Sequence, residues 1–117
     1  MLEIGCGTGA AAREVVGRIG SGYVLGIDRS ARAVNRAIEL SSGYEPHLSF
    51  RNVAVEDFVL PPGDESFDLA FAVRVGALDG RHPELERLAL RRLRDALAPH
   101  GRLYIDGGNP LREIVIE

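Results

Sequence analysis

The chain predicts a doubly wound, mostly parallel α/β sheet in three layers, and three observations carry that expectation. Strand-like apolar runs alternate with helix-favouring segments along the whole length. A glycine-rich turn, Gly5-Cys6-Gly7-Thr8-Gly9, separates the first apolar run from the first helical one. The run Phe67-Asp68-Leu69-Ala70-Phe71-Ala72-Val73 is nearly continuous in apolar residues, as a central strand with parallel neighbours and both faces covered should be. The 117 residues make one domain, 1–117, with a modest core, because so short a chain buries only about two-thirds of its unfolded surface.

The elements follow in order. After the first strand, Leu2-Glu3-Ile4, and its turn, Ala10 to Ile19 favours helix and closes at Gly20-Ser21-Gly22; Tyr23 to Ile27 is a short buried strand ending at Asp28. Ser30 can cap a second helix, where Ala31, Val34, Ala37 and Ile38 recur at helical spacing until Ser41-Ser42-Gly43 stops it. Leu48 to Val55 is a third strand with Leu48, Phe50, Asn52 and Ala54 on one face, and Pro61-Pro62-Gly63-Asp64 marks a loop. Glu84 to Leu97 is an amphipathic helix, with Leu85, Leu88, Leu93 and Leu97 inward and Arg87, Arg91 and Arg94 toward water. Pro99-His100-Gly101 ends it before a fifth strand, Arg102 to Asp106; the tail Leu111 to Glu117 reads as a strand or as the start of a helix.

Composition narrows the function. No apolar run approaches the roughly 18 residues of a membrane span, no targeting segment is visible, and one cysteine, Cys6, rules out an intramolecular disulfide, so a cytoplasmic location is the default. A net charge of -3 argues against a general nucleic-acid binder. All fourteen basic residues are arginine, which excludes a P-loop ATPase and a short-chain dehydrogenase, both of which need a lysine. No group of His, Cys and carboxylates has metal-ligand spacing.

A glycine-rich turn opening a helix lets the backbone approach a nucleotide closely and aims amides into the site. Asp28 ends the second strand about 20 residues beyond the glycines, where a carboxylate can accept from both hydroxyls of a ribose. Glu3 stands inside an apolar strand, where burial is costly without a cationic or amide partner, so such a partner is expected nearby. An adenine-containing cofactor is implied.

Glu3-Ile4-Gly5-Cys6-Gly7-Thr8-Gly9 resembles the first motif of the class I S-adenosylmethionine-dependent methyltransferases, an acidic residue followed by xGxGxG. Gly26-Ile27-Asp28-Arg29-Ser30 is similar to the family's second motif, Val55-Glu56-Asp57-Phe58 to its adenine-binding stretch, Ser66-Phe67-Asp68-Leu69-Ala70 to the opening of its fourth strand, and Leu97-Ala98-Pro99-His100-Gly101-Arg102-Leu103 to its loop before the fifth, with His100 in place of a glycine. The resemblance implies a Rossmann-like sheet of order 3-2-1-4-5 that lacks the family's usual last two strands. It implies S-adenosylmethionine as cofactor and S-adenosylhomocysteine as product, with Glu3 and Arg29 among the cofactor-binding residues, Gly5, Cys6, Gly7 and Gly9 lining the methionine end, and Asp28 holding the ribose. Asp57 would accept from the adenine amino group and the Phe58 amide would donate to the ring, while Ala72 and Val73 would face the amino acid portion. Whether Glu56 or Asp57 makes the adenine contact stays open.

No residue is assigned a catalytic role, since in-line displacement from a sulfonium needs chiefly alignment. Cys6 reads as a space-filler. His82, Arg74 and Asp79 fall in the loop where the family places substrate contacts, and Asn109-Pro110-Leu111 reads as a turn. The expected activity is methyl transfer to a small molecule, with no nucleic-acid or membrane partner; the alternative is a binding or dimerisation module without turnover. The family's helical segment before the first strand has no counterpart here, which makes a fragment of a longer enzyme conceivable, and an open fifth-strand edge would favour a homodimer.

Overall fold

Helices with one apolar stripe and strands with apolar faces bury them against one another, and the outcome is a sheet flanked on both sides. A computed structural model describes residues 1–19, 22–73, 75, 78, 81–106 and 111–115. Among these, six strands form one sheet of order β3-β2-β1-β4-β5-β6, from β1 Leu2–Ile4, β2 Val24–Asp28, β3 Leu48–Asn52, β4 Phe67–Ala72, β5 Leu97–Asp106 and β6 Leu111–Ile114. The first five are parallel, and β6 runs antiparallel to β5. The expected Rossmann-like architecture and strand order therefore hold, with one strand added at the end.

Helices α1 (Ala10–Ile19) and α2 (Ala31–Leu40) pack over β2 and β3, where Ala12, Val24 and Leu48 form a small core beside Val15, Val16 and Phe50. The larger core lies on the other face, where Leu2, Ile4, Ile27, Ala70 and Leu103 meet Ala89, Leu93 and Ala96 of α3 (Pro83–Ala96). Ser30 caps α2 as expected, its hydroxyl accepting from the Ala33 amide at 3.2 Å.

Four local expectations change. β3 stops at Asn52 rather than Val55, because the Val53 amide and the Asn52 side chain both donate to the Asp28 carbonyl at 3.0 Å and turn the chain into a 3-10 turn, Val55–Asp57. In α3 the inward stripe runs through Leu85, Ala89, Leu93 and Ala96, and Leu88 faces outward, 42% exposed. Its alanines let the helix lie close to the sheet. Pro99-His100-Gly101 does not interrupt β5; it sits in a bulge where the pairing with β4 shifts from Phe67↔Leu97 to Leu69↔Arg102. Finally, the tail is a strand. β6 pairs with Leu103 to Asp106, so the fifth-strand edge on which a dimer was expected is already occupied. Asn109 and Pro110, the expected turn, lie outside the described residues.

Candidate cofactor site

The site begins with backbone geometry. Gly5, Gly7 and Gly9 have φ of 72, 56 and 85°, a left-handed conformation that only glycine adopts without strain, and three of them in five residues reverse the chain between β1 and α1. Amides of Gly5 and Cys6 donate to the Ile27 carbonyl at 2.8 and 3.0 Å, and that of Gly9 to Cys6 at 3.0 Å. The Gly7 amide donates to Asp28 Oδ2 at 2.9 Å, while Oδ1 accepts from the Ser30 amide at 2.8 Å. These four loop amides are therefore engaged within the protein rather than free, contrary to the sequence expectation, and Asp28 is the pin that joins the loop to α2. From the outside, Arg13 Nη1 ties the Thr8 carbonyl (2.8 Å) to Ser41 Oγ (3.0 Å). Over Gly7 a Cβ would meet nothing within 4 Å, so the loop's central position opens onto free space.

Electrostatics sets Glu3 apart. It is 7% exposed and its Oε1 has no hydrogen-bond partner; the cation or amide expected beside it is not found among the described residues. Burial, reinforced by the charge of Asp28, pushes its carboxyl up to about 7. Burial also pushes the Cys6 thiol up to about 12, with Glu3 and Asp28 adding to the effect, so Cys6 stays a protonated filler whose Sγ points at the Gly7 carbonyl, 3.7 Å away.

At the carboxyl ends of β1 and β2 a cavity of about 130 Å³ opens, lined by Gly5, Asp28, Arg29, Ala54, Glu56 and Val75 among others. Of the two acids left open, Glu56 lines it, whereas Asp57 is exposed and does not. The Phe58 amide donates to the Val55 carbonyl at 3.2 Å and its side chain is fully buried. Ala72 is core, at the end of β4, and Val73 just beyond is 46% exposed. Arg74 and Asp79 lie outside the described residues; His82 is the exposed residue preceding α3. Sequence reasoning missed Val53 and Ala54 because it ran β3 through them. The signal was Asn52, a turn-former whose side chain closes the strand.

The open space over Gly7, the acceptor oxygens of Asp28 and the adjoining cavity walled by Arg29, Ala54 and Glu56 leave room for a nucleoside, with the Glu3 carboxyl buried at the foot of the same loop. The profile of the methyltransferase-domain family matches residues 1–101. The chain belongs to this family. Among solved structures it is similar to the N-methyltransferase NodS from Bradyrhizobium japonicum WM9 (27% identity, TM-score 0.72, 89% of this chain and 55% of that one), to an S-adenosylmethionine-dependent methyltransferase from Mesorhizobium loti (30%, 0.69, 89% and 44%) and to the [4+2]-cyclase SpnF (28%, 0.73, 89% and 36%). The chain thus spans between about a third and just over half of those proteins' lengths. No curated protein matches it. S-adenosylmethionine, with S-adenosylhomocysteine as product, is the cofactor of the methyltransferase family, and the residues present fit it: the open space over Gly7, the acceptor at Asp28 and the unpaired carboxyl of Glu3. No helix among the described residues is long and apolar enough to cross a membrane, and no group of His, Cys and carboxylates there could hold a metal.

Proposed function

We propose that this domain binds S-adenosylmethionine and directs its methyl group to a small-molecule acceptor in the cytoplasm. The observation that carries the reading is Glu3, a buried carboxyl left without a partner beside a glycine loop that Asp28 holds open. The cofactor would supply an electrophilic methyl on a sulfonium. The chain's own part is binding and alignment: Asp28 retains lone pairs for ribose hydroxyls after accepting two amides, and Glu56 and Ala54 wall the cavity beyond it. Cys6, held protonated, supplies no nucleophile.

A second reading is a binding or dimerisation module without turnover; the loop amides of Gly5, Cys6, Gly7 and Gly9, all engaged within the protein, are compatible with it. SpnF, a cyclase, shows that relatives at this identity carry other chemistry.

Titration calorimetry with S-adenosylmethionine and S-adenosylhomocysteine tests the reading, with Asp28→Ala and Asp28→Asn alongside. Hydrogen bonds to a charged acceptor are worth about 1.5–3 kcal/mol each, so Asp28→Ala should weaken binding at least ~10-fold and Asp28→Asn, which keeps one carbonyl, by less. Absence of binding by the folded wild type refutes it.

A further inference from the structure

Glu3 lies at the middle of β1, in register with Gly26 of β2 and Phe71 of β4, so neither neighbouring strand brings it a polar partner. Among the described residues, the charge that bears on it is that of Asp28, of the same sign. Asp28 stands at the end of β2 and Cys6 in the loop, and the charges of Glu3 and Asp28 both bear on the Cys6 thiol. Of the described cations, Arg13 on α1 is committed to the Thr8 carbonyl and Ser41, Arg29 lines the cavity beside Asp28, and the Met1 ammonium donates to the Tyr23 carbonyl at 2.7 Å. A carboxylate nine-tenths buried, next to a second carboxylate and without a counter-ion among the described residues, is electrostatically frustrated. Two events relieve it: uptake of a proton, or arrival of a positive charge.

Resting on the S-adenosylmethionine reading above, we propose that cofactor uptake is proton-linked: Glu3 is a carboxylic acid in the empty site, and a cationic ligand displaces its proton to solvent. The balance is simple. The O–H bond of the Glu3 carboxyl breaks, the proton passes to buffer, and the ligand's positive charge takes its place beside the carboxylate, with no redox change.

The sign follows from the group's empty-site value of about 7, which a neighbouring cation lowers. The bound state holds fewer protons than the empty one, so affinity rises with pH and levels off above about 7. Below that point it falls by up to about tenfold per pH unit. The linkage would favour loading at neutral pH and release on mild acidification.

Calorimetry in two buffers of high and low ionisation enthalpy reads the proton directly. Near pH 6 to 6.5 wild type should release most of one proton per S-adenosylmethionine bound, falling toward zero near pH 8. Glu3→Gln should abolish both the release and the acid limb of the affinity profile, with its largest loss of affinity at the alkaline end. The wild-type buffer comparison stands even if that variant fails to fold. Tight binding with no proton released at pH 6 to 6.5 and an affinity flat from pH 6 to 8 overturns the linkage while leaving the cofactor reading intact. No binding at any pH overturns both.

Discussion

Phe50 decides the size of two distant positions at once. Its ring lies so close beneath the cofactor loop that a Cβ on Gly26 would stand 2.8 Å from Cδ1, and one on Gly9 2.7 Å from Cζ. Gly9 is required twice, by its left-handed φ and by this contact; Gly26, in β2 with no positive φ, is required by packing alone. Gly26→Ala should therefore destabilise the protein by about 1–3 kcal/mol in urea unfolding. Phe50→Leu in the same chain should recover part of that loss, leaving a coupling of about 0.5–3 kcal/mol. Additive effects would show that the Phe50 contact is not what keeps Gly26 small. At this scale the sequence was legible where spacing alone carried the meaning: three glycines at alternate positions announced the loop, whereas Asp28 was read as a ribose acceptor and its hold on the Gly7 amide was not foreseen. Phe50 was readable only as the inward face of a strand, because nothing local reveals which glycine a ring will touch across the sheet. Glu3 was legible as an anomaly, and the structure sharpened it by withholding the expected partner.

Helix α3 shows where periodicity stops being informative. Leu85, Leu88 and Leu93 all fit an apolar face, and four leucines with outward arginines read as one stripe. Tertiary packing rotates the buried arc onto Ala89, Leu93 and Ala96 instead, since small residues allow the helix to approach the sheet and the 3-10 turn, whose Glu56 carbonyl accepts from Arg92 Nε at 3.3 Å. Hydrophobicity ranks leucine above alanine, so a pattern weighted by it selects the wrong neighbour. The consequence is measurable. Leu93→Ala, at a fully buried position, should cost about 2–5 kcal/mol, whereas Leu88→Ala should change stability by no more than about 0.5 kcal/mol. Equal losses in chemical denaturation would restore the arrangement the leucine spacing suggested. β3 fails for a related reason: Val53, Ala54 and Val55 have strand-like character, yet the chain leaves the sheet at Asn52 to form the cavity wall. There the requirements of the site override propensity.

Over the whole molecule, the sheet's outer strands are where backbone groups are left to pair with another chain. The doubly wound class was legible from the alternation of strands and helices, and the strand order from the resemblance of the motifs to the methyltransferase family. The last strand was not, since Leu111 to Ile114 is short and equally compatible with helix. Its placement matters: β6 covers the hydrogen-bonding edge of β5 from Leu103 to Asp106, and Ile114 packs against the main core. The new outer strand carries Glu113, a charge of the kind that blunts edge-to-edge pairing; the Arg102–Glu113 contact at 3.9 Å is exposed and adds little to stability. Deleting residues 107–117 should therefore bare an edge containing Leu103 and Ile105, side chains buried in the intact protein. In sedimentation velocity the truncated chain should associate at concentrations where the full chain does so less. If both sediment alike, the β5 edge is not adhesive when uncovered, and any self-association of this protein must use another surface.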